Sequence, residues 1–199
     1  MSTDDEAIAE GEPKLLFRYL KPLMAIFLEI DSHNPMSEPP TPEQLATWQR
    51  RLASRANNRA WTLAEVSSRT PDEDEEMLQA ANAAMYFWNI VGNTRNHARA
   101  AQLLAHVYAL LGLGDLAKHY LARSNPVFFG EGAEPLELAF AHAIAANVAA
   151  ATSDSKMHGT HYAEAERLMA ALSNEQDRNT LGATLRVIPV PSAESRSSS

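Results

Sequence analysis

The stretch Leu104-Ala-His-Val-Tyr-Ala109 recurs as Phe140-Ala-His-Ala-Ile-Ala145, 36 residues further along the chain. Both copies place a bulky apolar residue, an alanine and a histidine in the same order, within Ala-rich and Leu-rich sequence that favours helix. A period of roughly 34 to 36 residues is typical of stacked helix pairs. The recurrence therefore predicts two helical hairpins in the second half of the chain.

Turn and capping signals predict where the helices of these hairpins begin and end. Thr94 is a suitable N-cap, and the turn Gly112-Leu-Gly-Asp115 joins the first helix to a shorter one that stops near Pro126. No strand precedes the Gly112 turn, so we do not expect it to bind a nucleotide. The predicted helices are 95–111, 115 to about 126, 134–151 and 162–172, with residues 152–159 as an insertion in the second hairpin.

Further helices are predicted upstream of the repeat. Thr41-Pro42-Glu43-Gln44 carries the residues of a capping box with proline at the first helical position, and Thr70-Pro71 is a second N-terminal signal. Apolar residues between Lys14 and Asp31 recur at spacings of three and four, which is typical of a buried helical face. The predicted helices are about 14–31, 42–56, 60–68 and 72–91.

At its repeat, the chain resembles the tetratricopeptide repeat (TPR) family. Five residues fall at the spacing of that family's large, small, aromatic, glycine and alanine positions: Leu104, Ala105, Tyr108, Gly112 and Ala117. The likeness covers about residues 95–172, with Ala101 where the family has a tryptophan-type residue. The layout is also similar to a group of uncharacterised bacterial helical proteins that carry a phrase like Tyr86-Phe-Trp-Asn-Ile-Val-Gly92 before such a hairpin.

These patterns predict an all-α fold with antiparallel helical hairpins. The resemblance implies a TPR-like right-handed stack, to which an extra N-terminal helical subregion is added. We expect one all-helical domain over residues 13–185, with a disordered acidic tail at 1–12 and a second disordered tail at 186–199. Both tails lack the apolar residues that would offset the entropy cost of ordering them.

Composition excludes several classes of function. The chain has no cysteine, so it has no disulfide and no cysteine-based metal site. A net charge of −8 without a Lys/Arg cluster argues against nucleic acid. The acidic N-terminus lacks the features of a secretory signal or transit peptide, and Arg18, Lys21 and Pro22 interrupt the most apolar stretch, 15–30. We expect a cytoplasmic protein that does not insert into a membrane.

The resemblance also implies a binding surface, because the first helices of TPR hairpins line a concave face that holds a peptide or partner helix. On the first hairpin this face would include Ala109, and on the second Ala145 and Ala146. His106 and His142 hold the same repeat position, so we expect them to be neighbours. The predicted binding residues are Gln102, His106, Leu110, Leu138 and His142.

Histidines on this face suggest an alternative chemistry. Neutral imidazole is a common metal ligand and general base, so one hypothesis is a metal or general-base site formed by His106 and His142 with Glu137 or Gln102. However, the chain contains neither the His-Glu-x-x-His nor the His-x-x-Glu-His spacing of metal-dependent hydrolases. We therefore predict repeat-derived, hydrogen-bonded histidines, with no metal and no cofactor.

The leading hypothesis is a non-enzymatic adaptor or scaffold that binds a protein or peptide. A rival is a small-molecule-binding protein or enzyme, with a pocket between helices near His106 and His142. The side chains that would build that pocket are Tyr86, Trp88, His106, Tyr108 and His142. A third alternative is a homodimer formed through the apolar stretch 15–30.

Overall fold

A computed structural model describes residues 39–192 of the chain. These residues belong almost entirely to the second of two units, Gln44–Ser199. The predicted acidic tail 1–12, the predicted helix 14–31 and the last part of the C-terminal tail, from residue 193, lie outside the described residues. The expectation of one domain over 13–185 thus stays a prediction for its N-terminal part.

The described residues form seven helices and no strand, which confirms the all-α fold class for this part of the chain. The helices are α1 (Pro42–Ala64), α2 (Pro71–Val91), α3 (Thr94–Leu110), α4 (Gly114–Phe128), α5 (Pro135–Ala151), α6 (Ser155–Ala171) and α7 (Glu175–Arg186). None of these helices is long and apolar enough to cross a membrane.

Several helix boundaries differ from the predictions. Helix α1 joins the predicted helix 42–56 to the first part of the predicted helix 60–68 and ends at Ala64, because residues 57–59 are compatible with helix and no proline or glycine interrupts them. Helix α4 continues past Pro126 to Phe128. Most of the predicted insertion belongs to α6, which begins at Ser155 and is capped by the Asp154 side chain accepting from the Met157 backbone N–H at 3.1 Å. Only a short turn remains between α5 and α6.

The helices pack as neighbouring pairs in which α3 lies along α4, and α5 along α6. Helix α5 also contacts both α3 and α4, while α7 contacts α5 and α6. The start of α4 comes so close to the end of α5 that a Cβ on Gly114 would lie 3.0 Å from the Ala151 carbonyl oxygen and 2.6 Å from Thr152 Cγ2. A side chain at this position would therefore force Thr152 and the adjoining backbone to shift. The right-handed, TPR-like geometry of the pairs stays a prediction.

Small residues make the close packing of α5 feasible. Helix α5 buries alanines on more than one side, and its 17 residues include a continuous buried run from Ala143 to Ala149. Toward α6 these alanines meet Tyr162 and Ala165, and toward α3 and α4 Ile144 and Val148 join Ala105 and Ala117. Because α5 is covered on several sides, it is the central helix of the described unit.

Two further packing regions complete the core. The end of α1 places Ala60, Leu63 and Ala64 against buried residues of α2 and α3, among them Met77 and Leu104. After α7, Ile188 is buried. The imidazole Nε2 of His158 lies 2.8 Å from the Pro189 carbonyl oxygen, with which it makes a hydrogen bond. Packing thus extends beyond residue 185, where composition had suggested that a tail begins.

Candidate functional site

A partly open cavity of about 400 Å³ lies where α1, α3, α5 and α7 meet. Its apolar wall is formed by Trp61 from α1 and by Leu136 and Phe140 from α5. The Trp61 and Phe140 rings contact edge to face, with centroids 5.8 Å apart. The polar residues around this wall are Asn57, Glu65, Arg99, Gln102, Glu137 and Thr180. An apolar cavity with a few polar groups is the usual form of a ligand site.

The Gln102 amide is the most deeply buried polar group in the cavity wall. Gln102 is 6% exposed, and its Nε2 atom is buried without a hydrogen-bond partner in the described structure. An amide N–H that lacks an acceptor costs about 1 to 3 kcal/mol in desolvation. Native proteins leave few such groups unpaired, so the Gln102 amide is an exception in the cavity wall, and its Nε2 atom is itself shielded from solvent.

His106 lies one turn after Gln102 and is completely buried. Its ring stacks on Trp61 with centroids 5.5 Å apart and an interplanar angle of 26°. The Asn147 Nδ2 lies 2.9 Å from His106 Nδ1 and 3.3 Å from the His106 carbonyl oxygen. Since the carbonyl oxygen requires a donor, this atom is the amide nitrogen, and Nδ1 therefore accepts. The ring proton must then sit on Nε2.

Burial determines how His106 ionises. Removal from water lowers the pKa of His106 to about 3, and the positive charge of Arg69 contributes in the same direction. The ring is thus neutral at physiological pH, with an N–H at Nε2 that has no hydrogen-bond partner among the described residues. His106 is well suited to structural packing, and Trp61 would have to move before any ligand reached it.

An ion-pair cluster lies at one edge of the cavity. The carboxylate of Glu137 on α5 forms ion pairs with Arg95 and Arg99 on α3, and each arginine Nη2 lies 2.6 Å from a Glu137 carboxylate oxygen. Each arginine Nε also donates to the same carboxylate at 2.9 Å. The Glu137 side chain is only 13% exposed, so solvent screens the pairs less than it would at the surface. This cluster holds α3 and α5 in register beside the cavity.

Glu65 lies just beyond the end of α1 on another part of the lining. Burial raises the pKa of Glu65, and the charge of Arg186 opposes that effect. The carboxyl provides hydrogen-bond acceptor oxygens at the cavity wall in either protonation state. The cavity lining therefore combines an apolar wall with the acceptor oxygens of Glu65.

His142 lies in a different environment from His106. Its Nδ1 is 3.0 Å from Nδ1 of His161 on α6, so one ring donates to the other. The exposed Phe129 packs edge to face on His142 with centroids 4.9 Å apart. Partial burial lowers the pKa of His142, and His161 and Arg167 add to this effect while Glu164 opposes it. Partial burial likewise lowers the pKa of His161, against the effect of Asp154.

The structure thus separates the predicted binding residues. Gln102 lines the cavity, His106 packs against Trp61, and the ring contacted by His142 is that of His161. Leu110 and Leu138 are half-buried and are not part of the cavity lining. Trp61 and Phe140 were absent from the predicted set. Phe140 is the first residue of the second recurring segment, so the recurrence could have indicated it. No pattern in the sequence around Trp61 indicates that its ring packs on α3.

Tyr86 and Tyr108, which were predicted to line a small-molecule pocket, lie outside the cavity. Tyr86 is 63% exposed and contacts its neighbour Phe87, while Tyr108 stacks on Tyr120 with centroids 5.5 Å apart. Within residues 39–192, no group of three or more histidine, aspartate or glutamate side chains is placed to hold a metal ion. The cavity is therefore the best-formed candidate site in this part of the chain.

Comparisons with protein-family models, with curated proteins and with solved structures find no significant match to this chain.

Proposed function

We propose that this chain is a helical interaction module that binds a peptide or a helix of a partner protein through the cavity between α1, α3, α5 and α7. The supporting observation is an apolar recess of about 400 Å³ whose wall contains the buried, unpaired amide of Gln102. Interfaces commonly obtain most of their binding energy from one or two large side chains that enter such a recess. The partner's anchor would be an aromatic or branched aliphatic residue.

The lining residues explain this preference for an apolar anchor. Trp61, Leu136 and Phe140 offer ring faces and methyl groups, which gain dispersion contacts when they pack against another apolar side chain. The neighbouring Arg99–Glu137 pair already satisfies its own charges. A partner therefore gains mainly by filling the recess, and the polar rim determines its orientation.

The predicted repeat supports the same location. Helices α3 and α5, which provide most of the lining, are the first helices of the two predicted hairpins. In TPR proteins the first helices line the concave binding face. The packing of α5 against both α3 and α4 is compatible with that arrangement. On this proposal, α1 covers part of the concave face, and the cavity is the part of that face that stays accessible to a partner.

The proposed setting is the bacterial cytoplasm, with a protein or peptide as partner and no nucleic acid. The net charge of −8 disfavours phosphate backbones. A homodimer through residues 15–30 is a separate hypothesis whose residues lie outside those described.

A second candidate function is small-molecule binding. It is favoured by the volume of the cavity, which falls within the range of about 300 to 1,000 Å³ typical of small-molecule sites. Native mass spectrometry of the untagged protein tests this candidate. A stoichiometric bound metabolite that is lost in a cavity-filling variant would support it over the peptide hypothesis.

The peptide hypothesis is tested by blocking the cavity without removing core side chains. Thr180 is exposed on α7 and lines the cavity, so Thr180→Phe places an aromatic ring in the recess. Thr160→Phe introduces the same ring at an exposed position of α6 outside the lining and is the matched control. Peptides are first selected from a random linear library on the wild-type protein, and their affinities for all three proteins are then measured by calorimetry.

We expect selected peptides to share an apolar anchor, to bind wild type and Thr160→Phe equally, and to bind Thr180→Phe at least about tenfold more weakly. Circular dichroism confirms that both variants are folded. If peptides bind both variants as well as they bind wild type, the cavity is not their site and the proposal fails.

A further inference from the structure

The first half of α1 carries an exposed apolar stripe, formed by Leu45, Trp48 and Leu52. These side chains are 43%, 44% and 49% exposed, although all three are large and apolar. Their spacing of three and four residues places them next to one another on one side of the helix, in the pattern of a coiled-coil seam. Apolar residues scattered singly over a surface are normal, whereas adjoining ones favour a surface that another protein covers.

The α1 stripe lies on the opposite side of α1 from the cavity. Asn57 and Trp61, which line the cavity, each follow a stripe residue, Trp48 and Leu52, by nine positions. Nine residues make about two and a half turns of helix, so the two pairs point in opposite directions. A partner seated in the cavity therefore leaves the α1 stripe free.

Two arginines without a charge partner flank the α1 stripe. Arg51 lies one turn after Trp48, and Arg55 lies one turn after Leu52, so both adjoin the stripe. Both arginines are exposed, and neither forms an ion pair with another side chain of residues 39–192. The stripe thus has positive charge beside it that no described residue neutralises.

The charge of α1 differs from that of the rest of the chain. Helix α1 contains four arginines and one glutamate, a net charge of +3, of which only Arg59 is paired, with Glu76 of α2 at 2.6 Å. The whole chain carries −8, so the remainder carries the difference, −11. The overall charge conceals this local excess of positive charge.

This distribution of charge narrows the kind of partner. A second copy of the chain would bring the same excess of positive charge to the stripe, which disfavours a homodimer there. An anionic membrane or a nucleic acid is an extended surface, and it would be attracted to α1 but repelled by the rest of the chain. A single acidic helix contacts α1 alone, so it meets mainly the positive charge.

We propose that the α1 stripe is a second docking surface, which binds an acidic amphipathic helix of a partner protein. Apolar residues of that helix pack on Leu45, Trp48 and Leu52, and its aspartates or glutamates pair with Arg51 and Arg55. Tryptophan and arginine are among the residues that contribute most to binding at protein interfaces. Because the cavity faces the other way, the chain could join two partners. The inference does not depend on the function proposed for the cavity.

Peptide selection on a protein with a blocked cavity tests this inference. The bait is the full chain carrying Thr180→Phe, which places an aromatic ring in the cavity and leaves the α1 stripe unchanged. Peptides are selected on it from a random library of 16-residue sequences, and their affinities are measured by calorimetry. We expect the recovered peptides to share apolar residues at spacings of three and four, with aspartate or glutamate between them.

A charge placed in the stripe tests the apolar contact. Leu52→Glu in the bait should weaken the selected peptides at least about tenfold, because it removes an apolar contact and repels acidic residues. Leu116→Glu makes the same change on α4, where the side chain is 46% exposed, and should leave the affinities unaltered. Circular dichroism confirms that both variants are folded.

Removal of the flanking charges tests the ion pairs. Arg51→Gln combined with Arg55→Gln should weaken the peptides about threefold to tenfold and make their affinity less dependent on salt. Lys118→Gln combined with Lys156→Gln removes as many positive charges from exposed positions elsewhere and should preserve both the affinity and its salt dependence.

Several outcomes would overturn the inference. Selection might recover no acidic amphipathic peptide, or the peptides could bind the Leu52→Glu bait as well as the original one. A dimer in sedimentation that Leu52→Glu dissociates would assign the stripe to a second copy of the chain. Binding to phosphatidylglycerol vesicles that Leu52→Glu abolishes would assign it to a membrane. None of these results affects the cavity hypothesis, whose own test leaves the stripe unchanged.

Discussion

His106 and His142 occupy the same position in the two copies of the recurring segment, yet their environments differ. His106 is fully buried beneath Trp61 and bonded to Asn147, whereas His142 is half-buried and bonded to His161. The difference comes from what covers each helix. Helix α1 places an indole ring on α3, but at the corresponding point of α5 the cover is the exposed Phe129 side chain.

This contrast shows that repeat equivalence in sequence does not imply equivalent chemistry. Desolvation is the first cause of the lowered pKa at both histidines, and it is complete only at His106. Neighbouring charges then act differently, with Arg69 near one ring and Glu164, His161 and Arg167 near the other. Three experiments test whether the side chains packed on each histidine, rather than its position in the repeat, determine its burial and its pKa.

Removing the cover from His106 should have the largest effect. Trp61→Ala is expected to lower the free energy of unfolding by about 3 kcal/mol, because the ring packs on two clusters of the core. It should also raise the pKa of His106 from about 3 toward its ordinary value, since water then reaches the ring. Urea unfolding and NMR titration of the imidazole protons measure the two quantities.

Trp48→Ala is the control for this substitution, because Trp48 lies on the same helix and is 44% exposed. Its removal should cost much less stability and leave the His106 pKa unchanged. Equal losses of stability in the two variants, or an unchanged His106 pKa in Trp61→Ala, would contradict a covering role for Trp61.

The buried imidazole should also make stability depend on pH. The folded-state pKa of His106 is about 3 and the unfolded-state value about 6.5, so below pH 6.5 the unfolded chain takes up a proton that the folded protein excludes. Stability attributed to His106 is therefore fully present above pH 6.5. It falls by up to about 1.4 kcal/mol per pH unit as the pH drops toward 3.

His106→Leu should remove this contribution and flatten the acid side of the stability profile, whatever its effect on stability at neutral pH. His119→Leu changes an exposed histidine and should keep the wild-type slope. The measurement is urea unfolding between pH 4 and pH 8. Identical slopes in the wild type and His106→Leu would show that His106 is accessible to protons in the folded state.

The smallest effect is expected at the half-buried pair. His161→Gln preserves a side chain capable of hydrogen bonding but removes a positive charge that lowers the pKa of His142. The pKa of His142 should therefore rise, by less than the change at His106 in Trp61→Ala, because desolvation remains the main cause of its shift. NMR titration of His142 measures this change, and a fall in its pKa would contradict the assigned interaction.

Local sequence signals were sufficient for the helical fold class and for most helix positions. Caps and prolines act within a turn or two of the chain, and the 36-residue recurrence is a direct comparison of two segments, so all of them can be recognised without tertiary contacts. Thr70 and Glu73, for example, form the reciprocal capping box that starts α2. Where local signals were ambiguous, as at Pro126 and around residues 152–159, packing decided the boundary.

Of the candidate site, the resemblance to TPR hairpins implied Gln102 and the helix faces of α3 and α5. Tertiary structure alone decided that Trp61 covers His106, that Asn147 rather than His142 is its partner, and that a cavity remains beside Gln102. Those contacts join residues about 40 positions apart in the chain. The burial and the pKa of a side chain depend on such contacts, because every residue packed on it displaces water. The signals that start and end a helix, by contrast, come mainly from neighbours along the chain.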